Sequence, residues 1–372
     1  VTAGVVRVSD GSRLWARTFD CEVSDVFVLQ DEIARAVAEA LRVQLVTERA
    51  TARGGAPGSP EALTQVLLGR DLLRTGEVGD AKRGLEAFER AVALDPTFAL
   101  GWVGVAQALS FVEAAAGQGS VPERRSRALA AADRAIELAP NLPQGYVARG
   151  LIRRSFLFDW RGARADMERA RDLGPSDAGV ALGSGVTLLA MGQAAQARDE
   201  FQRATEIDPL WALPWTYLGQ ARFAASDHER GRAALLRALE ISPHVGLAQW
   251  ILLADWVAVG QPARALAVAE RAELPWVRRT GVALAQQDLG HPKESQAALD
   301  ELVAGNAADG AYQIAEVHAW RGESDRAFEW LERARAQRDP GMVFLKTDLL
   351  FRKVRSDRRF EEFLRKLGLP PD

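Results

Sequence analysis

The chain has 372 residues, of which 48% are hydrophobic and 26% charged. Its 47 basic residues nearly balance 50 acidic ones, so the net charge of −3 supplies no long-range field toward nucleic acid or anionic lipid. Cys21 is the single cysteine, which excludes an internal disulfide and a thiolate metal cage.

No charged-then-apolar leader opens the sequence and no run of eighteen apolar residues interrupts it. The expected location is the cytoplasm, away from any membrane. The chain opens on Val1 rather than Met, as expected of a piece of a longer protein. Residues 1–20 read as a β-hairpin. Val5–Val8 and Arg13–Arg17 flank Ser9-Asp10-Gly11-Ser12, where Asp-Gly supplies the positive φ of a tight turn. Ser24-Asp25 offers an N-cap for a helix reaching residue 47, with Ile33, Val37, Ala40, Leu41 and Leu45 at helical spacing. The Gly/Pro run from Arg53 to Pro60 reads as a linker.

Beyond it the pattern is helical and repetitive. Segments that start on Ala91, Ala135, Ala170, Ala204 and Ala238 end on Pro96, Pro140, Pro175, Pro209 and Pro243, so the prolines lie 44, 35, 34 and 34 residues apart. Proline is excluded from a helix interior, so each one stops a second helix and begins the next unit. Within a unit, small and large side chains alternate as two crossed helices require: Gly219, Gly231 and Ala238 beside Trp215, Leu218 and Leu235. Gly185, Leu188, Ala197, Phe201 and Ala204 repeat the scheme.

This spacing resembles the tetratricopeptide repeat. The second unit carries about ten extra residues near Gly117–Pro122. The units near 246–276 and 277–306 lose the Ala-to-Pro register, and a last one runs near 311–340 with Ala327, Leu331, Ala334 and Pro340. After Ser356 or Asp357 as N-cap, Phe360, Phe363, Leu364 and Leu367 share one face before Gly368, as a solenoid cap would. The expectation is an all-α fold, a right-handed superhelical solenoid of about eight helix-turn-helix units after a small α/β remnant of hairpin plus helix.

The stretches Asp10–Asp20 and Asp25–Ala34 resemble the end of a TolB-like α/β domain that precedes tetratricopeptide repeats in bacterial signalling proteins. Tyr312–Gly322, Phe328–Ala334 and Arg338–Gly341 resemble their closing repeats. The resemblance implies that 1–50 end a TolB-like domain, 51–60 are linker, 61–345 are the repeat array and 346–372 form a C-terminal capping helix. In such proteins a class III adenylate cyclase, winged-helix or serine/threonine kinase domain lies elsewhere in the chain.

Residues for chemistry are sparse. His228, His244, His291 and His318 have no metal-ligand spacing, and no Gly-x-x-x-x-Gly-Lys-Ser/Thr loop or Gly-x-Ser-x-Gly elbow occurs. Adjacent carboxylates such as Asp199-Glu200 and Asp300-Glu301 point to different helix faces and read as solvated. No enzyme activity, metal or cofactor is expected of these residues.

Trp102 and Trp215 fall at the large first-helix position and read as core, whereas Trp250 comes one residue later, toward the inner face. The family's groove register carries over to Phe111, Arg154, Tyr217, Gln220, Phe223 and Trp250. The Lys/Asn clamp for C-terminal carboxylates is absent, since Val103, Val147, Thr216, Gln107, Leu151 and Gln220 occupy its places. The expected function is a non-catalytic scaffold of a signalling protein, docking a protein or peptide in the concave groove. The alternatives are the regulatory arm of a cyclase or kinase, and a homo-oligomerisation module.

Overall fold

The computed structural model describes residues 2–6, 13–18, 58–75, 78–115, 122–243, 245–308 and 310–369. The Asp10-Gly11 turn, Cys21, the expected helix after Ser24, most of the Gly/Pro run and His244 lie outside them. Strand β1 (Thr2–Val6) pairs antiparallel with β2 (Arg13–Thr18), Thr2 opposite Thr18 and Val5 opposite Trp15. β1 thus starts three residues before the expected Val5, and its register shifts between Val5 and Val6.

Eight helix pairs follow in the described residues: α1 (Pro60–Arg74) with α2 (Val78–Leu94), α3 (Ala99–Ala115) with α4 (Pro122–Leu138), α5 (Pro143–Ile152) with α6 (Trp160–Leu173), and α7 (Ala178–Ala190) with α8 (Ala194–Ile207). The remaining four pair α9 (Ala212–Ala224) with α10 (His228–Ile241), α11 (Gly246–Ala258) with α12 (Pro262–Arg271), α13 (Pro275–Asp288) with α14 (Pro292–Asn306), and α15 (Ala311–Arg321) with α16 (Ser324–Gln337). A short helix, α17 (Arg358–Lys366), comes last. Helices pack mainly on their sequence neighbours, as a solenoid requires.

The start of the array is anchored twice. Ser59 caps α1 by accepting from the Ala62 amide at 3.2 Å, ahead of Pro60. Asp95, at the end of the first unit, accepts from the Gly58 amide at 2.7 Å.

The proline register has a visible cause. Six residues after four of the five junction prolines, a side chain reaches back to the proline carbonyl: Trp102 Nε1 to Pro96 O at 2.9 Å, Tyr146 Oη to Pro140 O at 3.0 Å, Trp215 Nε1 to Pro209 O at 3.1 Å and Gln249 Nε2 to Pro243 O at 3.0 Å. These bonds satisfy a carbonyl that proline leaves outside any helix ladder. Trp102 and Trp215 are consequently half-buried at the seams rather than in the core expected of them.

Glycines sit where helices cross. The Phe88 ring is wedged between Gly69, where a Cβ would come within 2.7 Å of its Cζ, and Gly104 of the next unit. Phe201 presses on Gly185 in the same way. A methyl at either site of the Phe88 wedge has nowhere to go, because the ring is fully buried. Gly104→Ala is therefore expected to destabilise the chain by about 1–3 kcal/mol, read by urea denaturation.

Between α16 and α17 the chain leaves the repeat pattern. Arg338 takes a left-handed conformation, φ 58°, and residues 338–357 form an irregular strap with two 3₁₀ turns, Pro340–Phe344 and Leu349–Phe351. The first turn lies against residues 153–157 and α7, and the second against α11 and α15. Phe344 packs on Tyr217 of α9, their ring centroids 5.9 Å apart. All of these partners are first helices or their extensions, so the strap runs along the face that the first helices share. The expected boundary at 345/346 falls inside it.

α17 starts at the cap Asp357, which accepts from the Arg359 amide at 3.0 Å, and ends before Gly368, φ 71°. It contacts α16 through Arg359–Asp325 at 2.7 Å and Lys366–Glu332 at 2.5 Å. It also reaches the third unit, where Trp160 Nε1 donates to Leu367 O at 2.6 Å.

Candidate functional site: the first-helix groove

Of the six residues that the register assigns to the groove, five separate into two groups and Phe111 stands apart. Tyr217 and Gln220 lie one turn apart on α9, and both are half-buried. Arg154 sits on a π-helical turn, Arg153–Leu157, that extends α5 and ends at Phe158 in a left-handed conformation, φ 54°. The extra residue of a π turn re-aims the side chains around it, and here it brings Arg154 near Tyr217, whose phenol interacts with its charge.

Phe223 and Trp250 go elsewhere. Phe223 is 3% exposed and stacks on His228 of its own unit at 5.8 Å, over Gly231. Trp250 is 7% exposed and meets Trp276 of the next unit edge-on at 5.6 Å. Both rings are helix-packing groups here, so truncating either would cost about 3–5 kcal/mol in cavity and burial before any partner is considered. Phe111 is half-buried near the end of α3, in the second unit.

Above Tyr217 lies the strap. Tyr217 is held between Phe201, at 5.6 Å and nearly parallel, and Phe344. On Arg154, Nη1 donates to Thr187 Oγ1 at 3.0 Å, while Nε is buried without a partner. Burial pushes this guanidinium down to about 10, a fall that Tyr217 only partly offsets. Ser184, one turn before Thr187 on α7, buries an unpartnered Oγ, and Gln220 an unpartnered Oε1.

A second cluster fastens the strap. On α15, Tyr312 donates its amide to Asp339 Oδ2 at 3.0 Å and its hydroxyl to Asp348 Oδ2 at 2.8 Å. Glu316, one turn on, is 1% exposed and lies in the field of Asp348 and Asp339. Burial first, and then Asp348 and Asp339, push the Glu316 carboxyl well above the usual carboxylate range, and burial does the same to the Tyr312 phenol. A protonated Glu316 can donate to Asp348, as a carboxyl pair does when two acids share one buried place.

Sequence reasoning missed both the strap and this cluster. The available signal was the Arg338–Gly341 break followed by Met342, Val343, Phe344, Leu345, Leu349, Leu350 and Phe351 without helical period. Apolar residues at that density need a surface to cover them.

Among the described residues no group of three His, Cys, Asp or Glu side chains could hold a metal ion, and no helix is long and apolar enough to cross a membrane. His228 is engaged with Asp255 at 2.6 Å and His318 with Glu323 at 2.5 Å.

No family model matches the chain. A protein of Rhizobium meliloti (strain 1021), provisionally named adenylate cyclase 3, is 26% identical over 156 residues, 41% of this chain and 26% of that protein. Solved structures similar to this chain include the Cut9–Hcn1 hetero-tetramer of the APC/C, with TM-score 0.57 at 15% identity, covering 87% of this chain and 60% of that one. The human IFIT1 dimer with PPP-AAAA gives TM-score 0.53 at 13% identity, over 83% of this chain and 80% of that one. At these identities the likenesses establish the fold, an all-α tetratricopeptide-type solenoid, and nothing beyond it.

Proposed function

We propose that this tetratricopeptide-type solenoid is a non-catalytic interaction scaffold whose first-helix groove receives an extended segment of a protein partner. The observation that carries the reading is the strap: an irregular, aromatic-bearing segment already lies along the face formed by α7, α9, α11 and α15. A groove that half-buries Phe344 and fully buries Leu350 of its own chain has the shape and apolarity to receive the same chemistry from another. The partner enters where the strap leaves.

The test uses the full chain with Phe344→Ala and Phe351→Ala, which loosen the strap, and a fluorescent synthetic peptide of residues 338–357. Saturable anisotropy, weaker with the unsubstituted chain whose strap competes, is the expected result. A peptide that fails to bind the loosened chain would leave the groove without a function in recognition.

A second reading is favoured by the similarity to the Rhizobium meliloti protein. In it the solenoid is the cytoplasmic regulatory arm of a bacterial class III adenylate cyclase or a kinase, its catalytic domain elsewhere and residues 1–50 the end of a TolB-like domain. The complete reading frame tests it directly. Homo-oligomerisation competes with both readings, and light scattering that shows a monomer at all concentrations removes it.

A further inference from the structure

We propose that Arg154 is an anion-receiving group of the groove, and that it takes a carboxylate carried by the partner's extended segment at the place now covered by Phe344. The inference rests on the groove reading above and adds the chemistry of the partner.

Two buried carboxylates of the described chain have cations beside them. Asp166 accepts from Arg149 and from Arg153, at 2.7 Å and 2.8 Å. Asp255 accepts from His228 and Arg232, both at 2.6 Å. Arg154 is as deeply placed, 5% exposed, and among the described residues no carboxylate pairs with it. Its neighbours offer one threonine hydroxyl and a nearby phenol. Burying a cation this way is unfavourable unless a counter-charge arrives.

The geometry says from which side it arrives. Thr187 engages Nη1, whereas Nε is left without a partner. The Nε side is one edge of the planar fork on which guanidinium groups hold carboxylates bidentately. Ser184 adds a buried hydroxyl without a partner on the same face of α7 as Thr187. Tyr217 lies beside the guanidinium, and Phe344 of the strap packs on that ring at a tilt.

The strap is thus an occupant that fills the groove without answering its charge. Its two nearest acids are committed elsewhere: Asp339 accepts from Tyr312 N and Gly341 N, and Asp348 from Tyr312 Oη and Leu350 N. A segment with an acidic residue at the place of Phe344 would add a charge-assisted, desolvated pair that the strap lacks. That difference would let a partner displace a tethered competitor. A singly charged carboxylate suits this dry, narrow site better than a phosphoryl group, whose larger charge is costlier to desolvate.

The experiment extends the peptide assay on the loosened chain. Peptides of residues 338–357 carrying Phe344→Glu, Phe344→Gln or phosphoserine at that position are compared. The Glu peptide is expected to bind at least about tenfold more tightly than the Gln peptide, and Arg154→Met should erase the difference. Equal binding of the three overturns the anion site while the groove reading survives. Tighter binding of the phosphoserine peptide overturns the carboxylate in favour of a phosphoryl ligand. Should no peptide bind, the groove reading falls, and the anion site is then judged within the full chain. There, Phe344→Glu should melt above Phe344→Gln when Arg154 is present and below it in the Arg154→Met background; the same order in both backgrounds refutes it. Arg154→Met alone should melt at or above the unsubstituted chain, because it removes an uncompensated charge, and a clear fall would assign Arg154 to holding Thr187 instead.

Discussion

Glu316→Gln is expected to flatten the pH dependence of stability and to leave the chain more stable than its parent from neutral pH upward. In the unfolded chain this carboxyl titrates near its ordinary 4.5, whereas in the fold burial against Asp348 and Asp339 keeps the proton on to much higher pH. Folding above the ordinary value therefore takes up a proton. The stability from this group is complete below the ordinary value and falls as pH rises toward and through the raised one. The slope of a group that takes up one proton on folding is at most about 1.4 kcal/mol per pH unit. The amide of the variant can still donate to Asp348 and takes up no proton. The other charged groups at this seam are Asp339, Lys353 and Arg355, and Lys353 and Arg355 donate to Trp320 O and Asp348 O. Urea titrations at pH 5, 6, 7 and 8 should give parent and variant curves that meet near pH 5 and diverge above it. Parallel curves would show that Glu316 binds no extra proton in the fold.

Trp320→Ala should cost about 3–5 kcal/mol, the range for removing a large buried aromatic. The indole is 2% exposed and joins three parts of the molecule. Its Nε1 donates to both oxygens of Asp288 on α13, at 2.9 Å and 3.0 Å. Two strap cations lie over its ring, Arg352 at 4.4 Å and Lys353 at 4.6 Å from the centroid. Removing the ring therefore loosens the strap as well as the seventh and eighth units. Tryptic cleavage at 352–355 should become faster in the variant under native conditions. Trp320→Phe keeps the apolar volume and a ring for the cations but drops the donor, so its loss should be nearer the about 1–3 kcal/mol of an unsatisfied buried polar group. An Ala variant no less stable than the Phe variant would mean that the ring bears little of the packing.

The solenoid was legible because its information is local. Proline at 96, 140, 175, 209 and 243 can only end helices, and a glycine opposite each large ring is readable from one unit. The same register assigned Arg154, Tyr217, Gln220, Phe223 and Trp250 to the groove. It did not reveal that Phe223 packs inward, because whether a ring turns outward or inward depends on Gly231 leaving room beneath it. Trp250 turned toward Trp276, one unit away, for a similar reason. The strap was illegible for a different cause. Helical period ends at Gln337, and nothing in the order of residues 338–357 says that Phe344 will meet a tyrosine more than a hundred positions earlier. The Glu316 cluster depends on the strap and was hidden with it.

The residues that flank the strap also change how the chain must fold. A plain repeat array assembles by contacts between neighbours, so it can start anywhere and grow quickly. Here Trp160 bonds Leu367, 207 positions away, and Arg125 bonds Gln337, 212 positions away. Contacts of that span add a late, slow closure to an otherwise fast process. During synthesis the eight units leave the ribosome before residues 338–369, so the groove exists for several seconds with its apolar face uncovered. On the proposed reading, a partner present in that interval would meet no competitor, so the time of encounter, as much as affinity, would decide what the groove holds.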